Sequence, residues 1–248
     1  MNKSVGSVLA GIPGWEGAEF SEMSGGLNNL SWFVEAGSRK AVLKVDEHPR
    51  GAPFNTRAAE AQIQTQAAQA GLAGAVLFAS DTVFMSEYVE GSVWSGASLE
   101  DCENLDRLAA ALRTLHALPL TGRTFDAVSA ASGYASQIRD ADPENVRGCI
   151  QTIEAMPSPV KLCCCHNDLV AANIIGTPDI RFLDWEYACD NDPLFDLATV
   201  VAHHQLSPER AEHFLNAYFD GNGDQWREPL DRQSELYTAL LWLWEASR

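Results

Sequence analysis

Positive charge is scarce in this 248-residue chain. Seventeen Lys and Arg stand against 34 Asp and Glu, a formal net charge of −17, and only four residues are lysine. A nucleic-acid binder gains affinity by releasing counterions from phosphates and needs a basic face, so that class is excluded. Docking on anionic lipid is excluded for the same reason. Long apolar runs are missing too. Nothing approaches the ~18 consecutive apolar residues of a membrane helix, and the N-terminal stretch, broken by Gly11, Pro13 and Gly14, makes a poor signal peptide. A spaced cysteine framework is also absent. Three of the six cysteines are consecutive, Cys163, Cys164 and Cys165, which fits a reducing cytoplasm better than a disulfide scaffold. His166 follows them, but zinc ligands need a spacer to converge, and consecutive strand residues point to opposite faces. Buried strand thiols are the expected reading.

What is present is ordinary for a globular protein: 46% hydrophobic and 21% charged residues, which excludes wholesale disorder. The length fits one to two domains with a core that needs no staples. The charge is uneven. Residues 1–85 hold 6 basic and 8 acidic side chains, whereas residues 86–248 hold 11 and 26, a net of −15. Solubility and a cationic ligand are both open as explanations.

Residues 18–45 read as strands with turns. Leu30–Val34 and Ala41–Val45 are apolar and partly β-branched, with Gly37-Ser38-Arg39 as a hairpin connection. Asn55 or Thr56 caps an Ala/Gln-rich helix to about Ala70, and 75–79 and 82–85 read as further strands. Beyond residue 92 the pattern becomes helical. Ser98-Leu99-Glu100-Asp101 resembles a capping box, and Leu105, Leu108, Leu112 and Leu115 follow at helical spacing. Helices are expected near 127–140, 143–155, 194–204, 208–219 and 228–246, with short strands at 162–165 and 180–183. The fold class is therefore α+β, a small β-rich part with one helix followed by a larger helical part.

One segment carries chemistry. His166-Asn167-Asp168 with Asn173 has the form H-x-D-x-x-x-x-N, and Asp184 lies eleven residues after Asn173 at the end of an apolar strand. Phosphoryl transfer from ATP uses an Asp for the attacking hydroxyl and an Asn with a second Asp for the metal ions. Lys44 at a strand end and Glu60 in the next helix have the types and order of a phosphate-positioning pair. The Ser24–Asn29 loop precedes both, where backbone N–H groups would cover phosphates.

On these motifs the chain resembles the choline kinase and aminoglycoside phosphotransferase superfamily, over about residues 20–220. Ser-Gly-Gly-Leu-Asn-Asn at 24–29 is similar to the Gly-Gly-Leu-Thr-Asn loop of choline kinases, with Asn28 in place of Thr. Residues 85–91 resemble the interlobe hinge, His166–Asn173 the catalytic loop, Leu183–Ala188 the metal-binding segment, and Asp192–Ala198 the segment after it. The resemblance implies a protein-kinase-like two-lobe fold, with a nucleotide-binding N-lobe at 1–85, a hinge at 86–91 and a helical C-lobe at 92–248. It implies ATP and Mg²⁺ as cofactors and Asp168 as the base. Asn173 and Asp184 become the metal ligands. Ser24, Gly25, Gly26, Leu27, Asn28, Lys44, Glu60 and backbone groups of Ser86 and Tyr88 become the nucleotide contacts. His166 is implied to organise the loop and Asp196 to brace it.

Asp184 is not followed by Phe-Gly, and Asp192–Ala198 comes at once, which leaves little room for the activation segment of protein kinases. A small-molecule alcohol acceptor is favoured over protein, and a cationic one suits the acidic lobe. Choline or ethanolamine is the first choice, thiamine the second and an aminoglycoside the third. A catalytically silent nucleotide-binding module is the rival from another class. Glu186 and Trp185 face either substrate or core. Trp242 and Trp244 are candidates for an aromatic pocket, but they lie about 200° apart around a helix, so both cannot share one face. Trp94 is equally open between pocket and core.

Overall fold

The computed structural model describes residues 4–23, 31–51, 54–159, 161–176 and 178–248. The chain divides into two units, Met1–Glu90 and Gly91–Arg248. In the first, helix α1 (Val5–Leu9) precedes strands β1 (Glu19–Glu22), β2 (Ser31–Ala36) and β3 (Arg39–Val45). Helix α2 (Arg57–Gln69), β4 (Val76–Ala79) and β5 (Val83–Glu87) follow. The strands form an antiparallel sheet in the order β1-β2-β3-β5-β4. Gly37 turns the β2–β3 hairpin at φ 64°, a conformation that costs glycine little. Val8, Leu9, Ile12 and Trp15 pack on Val34, Ala41, Leu43 and Met85, which closes one face of the sheet. Thr56 caps α2, accepting from the Ala59 N–H at 3.2 Å.

The second unit contains α3 (Cys102–His116), α4 (Ala127–Ala135), α5 (Pro143–Glu154), β6 (Cys163–Cys165), β7 (Ile174–Ile175), β8 (Arg181–Phe182) and β9 (Cys189–Asn191). Three helices complete it, α6 (Pro193–His203), α7 (Pro208–Tyr218) and α8 (Arg227–Ala246). The expected spacing on α3 is a buried face: Leu105, Leu108, Leu112 and Leu115 are inaccessible to solvent. Two expectations are corrected. A 3-10 turn occupies Gly96–Glu100, where the Ser98 hydroxyl accepts from the Ser95 N–H at 3.1 Å. The α3 cap is Asp101, accepting from Glu103. Helix α4 stops at Ala135 rather than near 140, because the Ser136 hydroxyl and the Gln137 amide both turn back onto the Gly133 carbonyl and compete with the backbone ladder. Trp94 is buried in this unit with its indole against Gly176. No described helix is long and apolar enough to cross a membrane.

Candidate active site

Strand β6 runs directly into the loop His166–Asn173. Both amides at its start are held by one carboxylate: Asp196, fully buried on α6, accepts from the His166 N–H at 2.9 Å and the Asn167 N–H at 2.7 Å. The His166 ring donates through Nε2 to the Leu183 carbonyl at 2.8 Å and packs on Phe182 and Trp185. It therefore ties the loop to the chain entering Asp184, as a loop-organising residue would. Asn167 and Asp184 both sit in the left-handed region, at φ 64° and 60°. Asn and Asp tolerate that region better than other non-glycine residues, and such strain is characteristic of functional turns. From the far end of the loop, the Asn173 amide donates to the Asp168 carbonyl at 2.9 Å and to Asp168 Oδ2 at 3.0 Å.

Asp168 is thereby fixed among other acids. Burial pushes its carboxyl up to about 7, and the neighbouring charges of Asp184 and Glu186 push the same way, against the Asn173 hydrogen bond. The donor set fits a hard divalent cation. Asp184 would offer carboxylate oxygens, and Asn173, whose nitrogen is turned to Asp168, its amide oxygen.

Sequence spacing missed the groups around these acids. Tyr134 of α4 and Tyr187 are hydrogen-bonded to each other, and both phenols feel the charges of Asp168 and Glu186. Tyr237 of α8 also feels Asp168. His204 accepts from the Ala171 N–H at 2.9 Å, in the middle of the loop. Tyr134, Tyr237 and His204 come from α4, α8 and the end of α6, and only Tyr187 lies within a motif segment.

The other candidates divide. Trp185 is corrected to the core: it is fully buried and its indole donates to the Phe182 carbonyl at 3.1 Å. Glu186 is buried as well, but within reach of the acids and tyrosines. Trp242 packs against the core formed by α4, α5 and α8. Trp244 is covered by the Arg248 guanidinium, 4.6 Å from its ring centroid, so that face already carries a cation.

In the first unit, Lys44 Nζ donates to Glu60 Oε1 at 3.3 Å. Glu60 is held harder by Arg57, which is fully buried and donates to Oε2 at 2.6 Å. Arg57 also grips Asp46, at 2.6 and 2.8 Å, and Arg50 joins the same carboxylate at 3.1 Å. Charges alternate along this chain, so each is balanced by a neighbour. Ser86 lies inside the sheet opposite Val42 and Val76. The Tyr88 amide donates to the Lys40 carbonyl at 3.1 Å, which removes it as a donor to adenine. Ser24, Gly25, Gly26, Leu27 and Asn28 lie outside the described residues.

Residues 19–230 match the phosphotransferase enzyme family, and the chain belongs to that family. Its α+β architecture is kinase-like. A choline/ethanolamine kinase family protein from Mesorhizobium loti superposes with a TM-score of 0.73 at 26% identity, over 95% of this chain and 82% of that one. The choline kinase LicA of Streptococcus pneumoniae has the same fold, with a TM-score of 0.76 at 23% identity over 92% and 85%. Protein LicA of Haemophilus influenzae is 30% identical over 207 residues, 78% of this chain but 61% of that protein, so the chain spans less than two thirds of this relative.

Proposed function

We propose that this phosphotransferase is a kinase that moves the γ-phosphoryl group of ATP to the hydroxyl of choline or ethanolamine. The observation that carries this reading is the Asp168 cluster: a carboxylate oriented by Asn173, crowded by Asp184 and Glu186, and flanked by three tyrosine phenols. Asp168 would orient the acceptor hydroxyl for in-line attack and take its proton. Asn173 and Asp184 would hold Mg²⁺, which when bound neutralises charge on the phosphates. Lys44, set by Glu60 and Arg57, would position those phosphates, with the backbone of Ser24–Asn28 as a further nucleotide contact. In this reading residues 1–85 bind nucleotide and 92–248 carry the acceptor site, in a cytoplasmic enzyme.

The buried Glu186 near Tyr134 and Tyr187 favours a cationic acceptor, since a cation over an aromatic face gains ~2 kcal/mol or more once desolvated. The acidity of residues 86–248 points the same way. ATP is itself a polyanion, but with a Debye length of ~8 Å at physiological salt, Lys44 and local donors dominate its binding. Thiamine is the second reading and an aminoglycoside the third. A silent nucleotide-binding module is disfavoured because Lys44, Glu60, Asp168, Asn173 and Asp184 are all chemically competent.

An ADP-release screen over choline, ethanolamine, thiamine, an aminoglycoside and a neutral sugar tests the proposal. Choline or ethanolamine should exceed the neutral sugar by about 30-fold in kcat/KM, the equivalent of ~2 kcal/mol. Preference for the sugar would contradict it.

A further inference from the structure

Behind the catalytic loop lies a cluster of soft ligand atoms that phosphoryl transfer does not use. Strand β6 alternates, so Cys164 points one way while Cys163 and Cys165 share the opposite face, their sulfurs 3.4 Å apart. The last residue of α3, His116, meets them there. The two sulfurs and one imidazole nitrogen all lie within 4.8 Å of one another. We propose that Cys163 Sγ, Cys165 Sγ and His116 Nδ1 form a structural site for a thiophilic divalent cation of the zinc class, with the Tyr218 phenol oxygen beside it as the fourth donor.

The imidazole is arranged for this. Its Nε2 lies 3.0 Å from Asp196 Oδ2, a carboxylate that only accepts, so the proton is on Nε2 and the Nδ1 lone pair is available. In the metal-free protein the Tyr218 hydroxyl donates to that lone pair at 2.7 Å; binding a cation breaks this hydrogen bond, and the phenol, still protonated, turns an oxygen lone pair toward the same ion. The Tyr218 phenol also feels the charges of Cys163 and Cys165, so it belongs to the same cluster. A carboxylate behind a ligating imidazole fixes its tautomer and strengthens it as a donor. Tetrahedral zinc with Zn–S bonds of ~2.3 Å sets its sulfurs ~3.8 Å apart, so the thiols need to part by only a few tenths of an ångström.

Charge balances as well. Two S–H bonds break, two Zn–S bonds form, and two protons leave to solvent. The product of one divalent cation and two thiolates is neutral, so no net charge is added to the interior. Both cysteines are buried, 4% and 0% exposed, so the site is closed and structural in type, filled as the chain folds. Its position gives it a purpose. Asp196 holds the first two amides of the catalytic loop, and a cation here would lock α3, β6 and α7 to that carboxylate.

Direct metal retention tests this independently of any kinase activity. The full chain, refolded with Zn²⁺ or Cd²⁺ and dialysed against a weak chelator, is expected to keep one cation per molecule. The Cd²⁺ form should show thiolate-to-metal charge-transfer absorption, and both should melt at a higher temperature than the metal-free protein. The double variant Cys163→Ser/Cys165→Ser should lose cation and absorption, whereas Cys102→Ser/Cys149→Ser should keep both. If the first variant does not fold, X-ray absorption on the wild-type zinc form decides, with two sulfur neighbours expected. No retained cation, retention by the Cys163/Cys165 variant, or a shell of oxygen and nitrogen alone would overturn the proposal.

Discussion

At Asp168 the physical demands on one side chain are easiest to separate. Its carboxyl is raised to about 7 by burial first and by Asp184 and Glu186 second, and one hydrogen bond from Asn173 opposes them. Asp168→Asn keeps the shape and removes the proposed base. Turnover is expected to fall by about 10²–10⁴-fold, the usual contribution of a positioned base, with nucleotide affinity little changed in a titration. His204 makes a second prediction at this scale. Burial, and then the charge of His203, lowers its ring to about 4, so it is neutral and accepts from the Ala171 amide. The unfolded chain takes up a proton near the ordinary value of 6.5, and the folded one does not until about 4. The stability this bond contributes is therefore present above about 6.5 and lost progressively as pH falls toward about 4. Urea midpoints across that range should fall more steeply for wild type than for His204→Gln; equal slopes would remove His204 from the loop's support. Residues such as His204, His116 and Tyr237 were illegible in the sequence because they meet the loop from separate helices. Asp168, Asn173 and Asp184 were legible because one short segment carries them.

Among the elements, helix α2 is the clearest case of burial deciding which side chain holds an acid. Arginine is mostly exposed, so nothing in the sequence marked Arg57. Yet it is fully buried and holds Glu60 0.7 Å closer than Lys44 does, at 2.6 against 3.3 Å. Removing one partner of a buried ionic set strands the others, at a cost of ~3–5 kcal/mol. Chemical denaturation should show a loss of that size for Arg57→Met and a smaller one for Lys44→Met, since Glu60 then keeps Arg57. The reverse order would mean that Lys44 is the main support of Glu60. The helices themselves were largely legible, because leucine spacing on α3 and clear breaks around α5, α7 and α8 are local signals. Their starts were less so. Ser98 and Asp101 are both good caps, and only packing decided for Asp101. Helix α1 is short, and β9 consists of Cys189, Asp190 and Asn191, whose polar members carry no strand pattern.

For the whole molecule, the excess of acid has a direction. A field from −15 charges in residues 86–248 attracts a cationic acceptor and is screened by salt. Raising ionic strength from about 0.01 M to 0.15 M shortens the Debye length from ~30 Å to ~8 Å. The KM for choline should rise over that range, while that for an uncharged alcohol stays level; parallel behaviour would leave solubility as the role of the charge. The two-part organisation was legible from the change of pattern near residue 90, as was the family from its motifs. The acceptor was not, since Tyr134, Tyr187 and Tyr237 are brought near Asp168 only by folding.

The most direct measurement is product identity. Wild-type protein and Asp168→Asn, each incubated with Mg-ATP and choline or ethanolamine, are followed by phosphorus NMR. The phosphomonoester of the alcohol is expected to grow as ATP is consumed with wild type, and to be nearly absent with the variant although it still binds nucleotide. Equal product from both proteins, or bound nucleotide with no phosphomonoester of either alcohol, would contradict a choline or ethanolamine kinase built on Asp168.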